Sequence, residues 1–293
     1  MQEFDYVAAK SVGEVLSLLS TDGSQARILA GGTDLLVQLR EGRRETRLVI
    51  DIKGLAEVNQ LSFDTSSGLK IGAAVSCQRI CRDQAIAQAY PGLIDAVALI
   101  GGTQIQGRAS LGGNLCNASP AADSIPALIV HGGVCTVATA QGQRKIQVEE
   151  FCIAPGKTVL KEGEFLVSIH LPAPSVGFGA AYLRFIPRNE MDIAVAGAGA
   201  SVVLGEDRQT IRSARLALAA VAPRPLFVPQ IGEYLAGRRI SPETLDEAAH
   251  MAREAAQPIT DLRGTVAQRK HLSAVLARRA LVRAIERAVG ERS

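Results

Sequence analysis

The sequence predicts an α+β fold arranged as two domains. Two observations carry that expectation. Up to residue 171, β-prone runs alternate with short helical patterns and with doubled glycines. Beyond a stretch rich in Pro and Gly at residues 172–179, three strand patterns come first and the helices last, the order of a separate α+β unit. The expected domains are residues 1–175 and 176–293. A chain of 293 residues is long enough for both to bury apolar cores without disulfides or metal staples.

The elements follow in order. Ser11-Val12-Gly13-Glu14 is a capping-box pattern, and Val15, Leu16, Leu18 and Leu19 behind it open a short amphipathic helix. Residues 27–30 read as a strand running into Gly31-Gly32-Thr33-Asp34, with a helical pattern over 35–40. Residues 48–52 and 69–73 are β-prone. Helical character from 83 to 100 breaks at Pro91 and ends on Gly101-Gly102, as a glycine C-cap would end it. A Gly-, Asn- and Ser-rich segment fills 107–120. Apolar segments at 125–130, 134–139 and 145–148 are separated by turn residues, and 165–171 is strand-like up to Pro172. Past the linker, strands are expected at 180–185, 194–204 and 213–221. Ser241-Pro242-Glu243 opens a helix with a serine N-cap and proline at its first position. A final helix spans 265–288. Val266, Leu272, Val275, Leu276, Leu281, Val282 and Ile285 form its apolar stripe, and its arginine-rich opposite face is read as mostly solvated.

Composition excludes several function classes. Hydrophobic residues at 47% and charged residues at 21% exclude intrinsic disorder. Aromatic residues reach only 4%, with no Trp, so few platforms exist on which unpaired bases could stack. A net charge of +3, from 32 basic and 29 acidic residues in mixed order, gives no steering toward polyanions. Nucleic acid is therefore not an expected partner. The cysteines, Cys77, Cys81, Cys116, Cys135 and Cys152, are odd in number and read as small buried apolar residues in a reduced compartment. Met1-Gln2-Glu3-Phe4-Asp5 lacks the start of a signal peptide, and the longest apolar run, 193–204, is too short to span a bilayer. The expectation is a cytoplasmic protein without a membrane span.

Several motifs fail on inspection. Gly197-Ala198-Gly199 would need a third glycine where Val202 stands, and a helix where the pattern is strand-like. Gly156-Lys157-Thr158 would need a glycine at Phe151 to be a P-loop. A radical-type cluster from Cys77 and Cys81 would need cysteine at Gln84. His131, His170, His250 and His271 show no metal-ligand spacing, so no protein-held metal is expected. There is no Gly-x-Ser-x-Gly elbow.

Two glycine segments survive. In Ile28, Leu29, Ala30, Gly31, Gly32, Thr33, Asp34 and Leu35, a strand delivers the chain to two glycines and a helix begins at once. Glycine lets backbone approach a ligand closely, and the first amides of the helix lack partners, which suits a pyrophosphate. Thr33 adds a hydroxyl donor, and Asp34 is expected to cap the helix or bind a ligand hydroxyl. The second segment, read as another glycine turn, is Arg108-Ala109-Ser110-Leu111-Gly112-Gly113-Asn114, followed by Cys116, Asn117, Ser119 and Asp123. Paired glycines alone mark turns more often than ligands, roughly two to one. Two such loops with no triad and no metal favour a dinucleotide whose pyrophosphate they share.

Here a resemblance becomes specific. Ala30-Gly31-Gly32-Thr33-Asp34 followed by Gly101-Gly102-Thr103-Gln104-Ile105-Gln106-Gly107-Arg108-Ala109-Ser110-Leu111-Gly112-Gly113-Asn114 resembles the FAD-binding subunit of molybdenum hydroxylases. That family includes bacterial xanthine dehydrogenases and the medium subunit of carbon monoxide dehydrogenase. The likeness continues through residues 154–158, 164–172 and 189–194 to Asp261-Leu262-Arg263-Gly264-Thr265 and residues 271–279, so it covers nearly the whole chain.

The resemblance implies an FAD-binding domain of the vanillyl-alcohol-oxidase (PCMH) type, in two α/β subdomains. A small α+β C-terminal domain follows, an antiparallel sheet with helices, of the carbon monoxide dehydrogenase flavoprotein kind. It implies that residues 28–35 hold one side of the FAD pyrophosphate and that Ser110, Gly112, Gly113 and Asn114 hold the other. It places Asp123 on the cofactor's polar chain, Ile100 and Leu166 against the isoalloxazine, Arg184 in contact with the cofactor, and the loop 186–192 near the flavin. Ile100 stands where some members have an aromatic residue. With no histidine in either glycine loop, the FAD is expected to be non-covalent.

The implied activity is electron transfer within a heteromeric oxidoreductase. A molybdopterin-binding large subunit oxidises the organic substrate, a small subunit with 2Fe-2S clusters relays the electrons, and this chain passes them on. NAD+ is favoured as acceptor over quinone, cytochrome or oxygen, and a dimer of heterotrimers is expected. A stand-alone FAD-dependent oxidoreductase and a non-catalytic nucleotide-binding module are the competing readings.

Overall fold

Parallel pairing of Asp5–Ala8 with Leu48–Asp51, and of Leu48–Asp51 with Ala26–Leu29, makes a three-stranded sheet from the first part of the chain. The computed structural model describes residues 3–188 and 191–290. Leu48–Asp51 is buried at every position, as befits the central strand of a parallel sheet. The helix Val12–Asp22 covers it through Val15 and Leu19. Ser11 Oγ accepts from the Glu14 amide at 3.1 Å, while the Glu14 carboxylate accepts from the amide of Lys10, one residue ahead of the cap.

A five-stranded antiparallel sheet follows, in the order Leu61–Asp64, Gly68–Gly72, Phe165–Leu171, Val134–Thr139, Gly142–Gln147. Helices close the core on this sheet, among them Pro91–Val97, Leu111–Asn117 and Ser124–Val130. Of the three apolar segments expected after residue 120, the last two are strands and the first is this buried helix. Pro126 sits in its first turn, where a missing N–H leaves no gap in the ladder.

The C-terminal sheet runs antiparallel in the order Phe178–Phe185, Ala196–Leu204, Ile211–Ala219, Leu226–Phe227. The helices Pro242–Ala255 and Val266–Val289 pack with it in a shared core. Glycines let backbones meet here. A Cβ on Gly199 would stand 3.0 Å from the Pro126 carbonyl oxygen, and one on Gly197 would strike the Tyr182 hydroxyl. The rejected Gly197-Ala198-Gly199 motif is thus a packing surface, one that lets Ser124–Val130 lie flat on the sheet. Ser201 Oγ donates to the Val130 carbonyl at 2.7 Å and Arg215 Nε to that of Ile129 at 2.9 Å, tying the two parts together.

The arginine face of the last helix departs from expectation. Arg269 is buried, donating to the carbonyls of Val195 and Ala220 at 2.9 Å each and to Asp261 at 2.6 Å. Arg287 donates to both Asp95 oxygens, at 2.6 and 2.9 Å, and to the Ala180 carbonyl. Arg278 pairs with Asp246. These side chains fasten the helix to its neighbours because it lies across the sheet between other elements. The expected Ser241 cap forms: its Oγ accepts from the Thr244 amide at 3.2 Å. Ser241→Ala should cost about 1 kcal/mol, read as a lower urea midpoint at unchanged slope.

Candidate cofactor cleft

The first wall is built by the strand Ala26–Leu29 and the turn after it. Alternation sends Leu29 into a core cluster with Leu39 and Val49, away from the cleft, while Ile28 and Ala30 line it. Gly32 then adopts φ +80°, a conformation that favours glycine. Gly31 serves a different purpose: a Cβ there would collide with the carbonyl of Arg108, so its glycine lets the two loops touch. Thr33, Asp34 and Leu35 complete this wall.

Asp34 does not cap the helix Leu35–Arg40. Its backbone is already in the helical region, and its side chain makes no cap hydrogen bond. The carboxylate instead accepts from Asn117 Nδ2 at 3.2 Å, and Asn117 Oδ1 accepts from Gln38 Nε2 at 3.0 Å. Burial pushes the Asp34 carboxyl above its ordinary range.

The second wall is a helix where a glycine turn was expected. Ser110 is extended, and its Oγ accepts from the Gly113 amide at 3.1 Å, so Leu111–Asn117 is helical from its N-cap onward. The two glycines are therefore the second and third residues of a helix, and they differ. A Cβ on Gly112 would lie 2.6 Å from the Cα of Ala73 on the neighbouring strand end. One on Gly113 would meet only Ser110 Oγ, at 3.1 Å. Gly112 is required by packing, whereas Gly113 keeps a cradle open. Asn114 is positioned from behind by the Ser124 hydroxyl, which donates to its Oδ1 at 2.6 Å.

Between these walls lies a cleft of about 300 Å³, at the lower end of the range for ligand pockets. It brings together Ile28, Ala30, Gly31, Gly32, Thr33, Asp34, Leu35, Ile100, Ser110, Gly112, Gly113, Asn114 and Leu166. Three expected site residues, Leu29, Asp123 and Arg184, do not line it. Asp123 lies behind the second wall, where it accepts from Tyr182 Oη at 2.8 Å and Arg184 Nη1 at 2.6 Å. Burial pushes the Asp123 carboxyl up to about 6, against the pull of Arg184 and Tyr182. Arg184 Nη1 also reaches the carbonyl of Asp192. Asn189 and Glu190, in the loop expected near the flavin, lie outside the described residues, as do Met1 and Gln2.

Other lining residues were not among the expected site residues: Arg27, Gln38, Arg44, Ala73, Leu160 and Phe165, together with Cys116 and Asn117, which the sequence places just behind the second glycine segment. Gln38 and Asn117 were findable: each stands one helical turn after an expected residue, Asp34 and Gly113. Arg44 and Leu160 reach the cleft only through tertiary folding and left no local signal. Burial pushes the Cys116 thiol up to about 12, so this cleft residue is no nucleophile at neutral pH. All five cysteines are free. Among the described residues no cluster of three or more His, Cys, Asp or Glu could hold a metal, and no helix is long and apolar enough to cross a membrane. The cleft offers backbone amides, small hydroxyls, the side-chain amides of Asn and Gln, the guanidinium groups of Arg27 and Arg44, and walls that are aliphatic apart from Phe165. Such a set binds and orients a ligand.

Comparison with known proteins agrees with this picture. Residues 2–174 match the FAD binding domain in molybdopterin dehydrogenase, and residues 181–284 match the CO dehydrogenase flavoprotein C-terminal domain. The chain is 29% identical to a xanthine dehydrogenase FAD-binding subunit of Escherichia coli O157:H7, over 98% of this chain and 97% of that one. It is 30% identical to the carbon monoxide dehydrogenase medium chain of Hydrogenophaga pseudoflava, over 95% and 96%. Among solved structures, carbon monoxide dehydrogenase from Hydrogenophaga pseudoflava superposes with a TM-score of 0.93 at 29% identity, over 98% of each chain. Quinoline 2-oxidoreductase from Pseudomonas putida 86 gives 0.89 at 27% identity, again over 98% of each.

Proposed function

The chain belongs to the family of FAD-binding domains of molybdopterin dehydrogenases, and from that premise we propose that it is the FAD-holding, electron-passing subunit of a heteromeric molybdenum hydroxylase. The observation that carries the reading is the cleft itself, where Gly32 turns at positive φ and Gly113 leaves open the space a Cβ would fill. These residues fit a dinucleotide pyrophosphate. Amides around Gly31–Thr33 and at Leu111 and Gly112, with the hydroxyls of Thr33 and Ser110, would hold it. Both flanking helices have fewer than two full turns, so the amides act as individual donors and the macrodipole adds little. Asn114 and Asn117 are fixed by Ser124, Gln38 and Asp34 and would orient the polar chain. Ile100 and Leu166 would flank the isoalloxazine with aliphatic surface and exclude water. Asp123 and Arg184 would act by holding Ser124 and Asn114 in place.

When bound, FAD supplies an electron store that takes electrons singly and gives them up in pairs. In this reading a molybdopterin-binding large subunit and a small subunit with 2Fe-2S clusters deliver those electrons, NAD+ receives them, and the assembly is a cytoplasmic dimer of heterotrimers. The division of the chain into residues 1–175 and 176–293 belongs to the same proposal. The test is direct. The purified chain should be yellow, carry about one flavin per chain and release it on denaturation. A colourless chain that takes up no FAD would refute the assignment. Reduced complex should be reoxidised by NAD+ without oxygen; no reoxidation would remove NAD+ as acceptor while leaving the flavin assignment standing.

A further inference from the structure

Ten large apolar residues are exposed among the described residues, and they are not evenly spread. Tyr6, Leu36, Ile153 and Val176 stand apart from one another in the sequence and need no explanation. The other six, Phe185, Met191, Ile193, Ile259, Leu262 and Val266, fall in two segments only. The fold brings both segments to one end of the C-terminal sheet. Phe185 is the last residue of its strand and pairs with Ala196, the first of the next, and the Val195 amide donates to the Phe185 carbonyl. The second segment enters at the same end, where the Gln257 amide donates to the carbonyl of Val221, two residues past the third strand. A Cβ on Gly264 would stand 3.2 Å from Val195 Cγ1, so the two segments touch.

Leu262 is held outward by the structure around it. It is fully exposed in a turn whose ends, Asp261 and Gly264, exchange backbone hydrogen bonds at 3.1 and 3.3 Å. The Asp261 carboxylate accepts from the Arg263 amide at 2.8 Å and from Arg269 Nη2 at 2.6 Å. Arg269 is buried and also donates to the Val195 carbonyl, so the turn is fastened to the sheet end and its leucine cannot fold inward. An apolar side chain fixed in water gains free energy only when another surface covers it, and its rigidity lowers the entropy lost on contact.

Position and charge say what covers this face. A Cβ on Gly102 would stand 3.3 Å from Met191 Sδ, and Gly102 lies two residues past Ile100, which lines the cleft at the end assigned to the isoalloxazine. The face therefore begins at the flavin end of the cleft. In the described residues of the two segments the carboxylates, Asp192 and Asp261, are each held by an arginine. Arg263 and Lys270 form no ion pair among the described residues. A 2Fe-2S cluster held by four cysteines is a net anion, because the thiolates and sulfides outweigh the two iron cations. An apolar face edged by free cations suits a protein that carries such a cluster close to its surface.

We propose that this face, with Leu262 as its anchor, is where the 2Fe-2S subunit docks on the C-terminal domain beside the flavin end of the cleft. The inference rests on the heteromeric reading above and gives that partner a place on this chain.

The test isolates the complex through a tag on the full chain and measures flavin and iron in the eluate. Leu262→Glu should keep the parental circular dichroism spectrum and flavin content, since the side chain is fully exposed, while iron per flavin falls about tenfold or more. Leu262→Met should keep parental iron. Arg263→Glu should lower iron per flavin and Arg263→Lys should not. Val176→Glu, at an exposed apolar position outside the face, should change nothing. A second measurement names the neighbour. The native cysteines are buried or half-buried, so Leu262→Cys accepts a benzophenone label selectively, and light should join this chain to the iron–sulfur chain. Parental iron per flavin in Leu262→Glu, or a crosslink to the large subunit or to a second copy of this chain, overturns the docking assignment. A parent chain that carries flavin but brings down no iron overturns the heteromeric reading itself.

Discussion

Gly113→Val is expected to leave the chain folded but free of flavin, whereas Gly112→Val is expected to destabilise the fold and lower its melting temperature. The two residues are adjacent in one helix, so propensity does not separate them. Valine is slightly favoured over glycine in a helix interior, by a few tenths of a kcal/mol. Space separates them. At Gly112 even a Cβ would lie 2.6 Å from the Ala73 Cα and overlap its carbonyl oxygen, and this backbone, tied to the central strand through the Ala73 amide on the Val167 carbonyl at 2.8 Å, cannot step aside. A branched side chain there forces the helix off the sheet, an overpacking cost of about 1–3 kcal/mol or more in a domain whose total stability is about 5–15 kcal/mol. At Gly113 the only obstacle is the Ser110 hydroxyl at 3.1 Å, while the added methyls occupy the cleft. Flavin-to-protein absorbance after gel filtration, with the melting temperature of the same fractions, reads both effects. Full flavin content in Gly113→Val would sink the cradle. Gly32 is a poorer probe: at φ +80°, with Leu29 Cδ1 2.9 Å from the ideal Cβ, a valine strains backbone and cleft together.

That contrast also marks what the amino-acid sequence displays and what it hides. The first glycine segment was legible because its signals are local: a β-prone run, two glycines and a helical pattern fall within a few residues, and the structure builds strand, turn and helix in that order. The second pair reads as a turn because glycine disfavours helix, and the forces that make it helical are not local. Ser110 caps the helix, and Ala73, just past the strand Gly68–Gly72, demands the close approach at Gly112. Residues 125–130 give no period because the helix they form is buried all round. The last helix shows its apolar stripe plainly, yet Arg287 finds Asp95 across 192 residues of sequence, and no spacing rule anticipates such a partner. The same holds for Asp123 and Arg184. Motif position puts both near the cofactor, but only the fold shows that they face each other instead of the cleft.

Breaking that pair should be the costliest polar change in the molecule. The Asp123 and Arg184 side chains are 10% and 6% exposed and 2.6 Å apart, and they join the helix Ser124–Val130 to the strand Phe178–Phe185. Asp123→Ala would leave the guanidinium buried with the Asp192 carbonyl as its remaining acceptor, and Arg184→Ala would leave a carboxylate with Tyr182 alone. Either loss is expected to cost about 3–5 kcal/mol. Replacing both by apolar residues of similar volume, Asp123→Leu with Arg184→Met, should cost less than the sum, because no orphaned charge remains. A double-mutant cycle in urea measures this, and simple additivity would refute the coupling. The pH dependence has a fixed sign. Burial raises the Asp123 carboxyl to about 6, above its value in the unfolded chain, so the folded state binds more protons between about pH 4 and 6. Stability contributed by this group therefore falls as pH rises through that window. Asp123→Asn should flatten that part of the profile, and Arg184→Ala should extend it to higher pH, since the guanidinium that favours the ionised form is gone. Melting temperatures from pH 4 to 8 for the parent and both variants decide it: a parental slope retained in Asp123→Asn would assign the titration to another group. The flavin content of the same samples tells whether this pair, which touches the cleft only through Ser124 and Asn114, positions the cofactor: a stable Asp123→Asn chain with full flavin would confine the pair to joining the two domains.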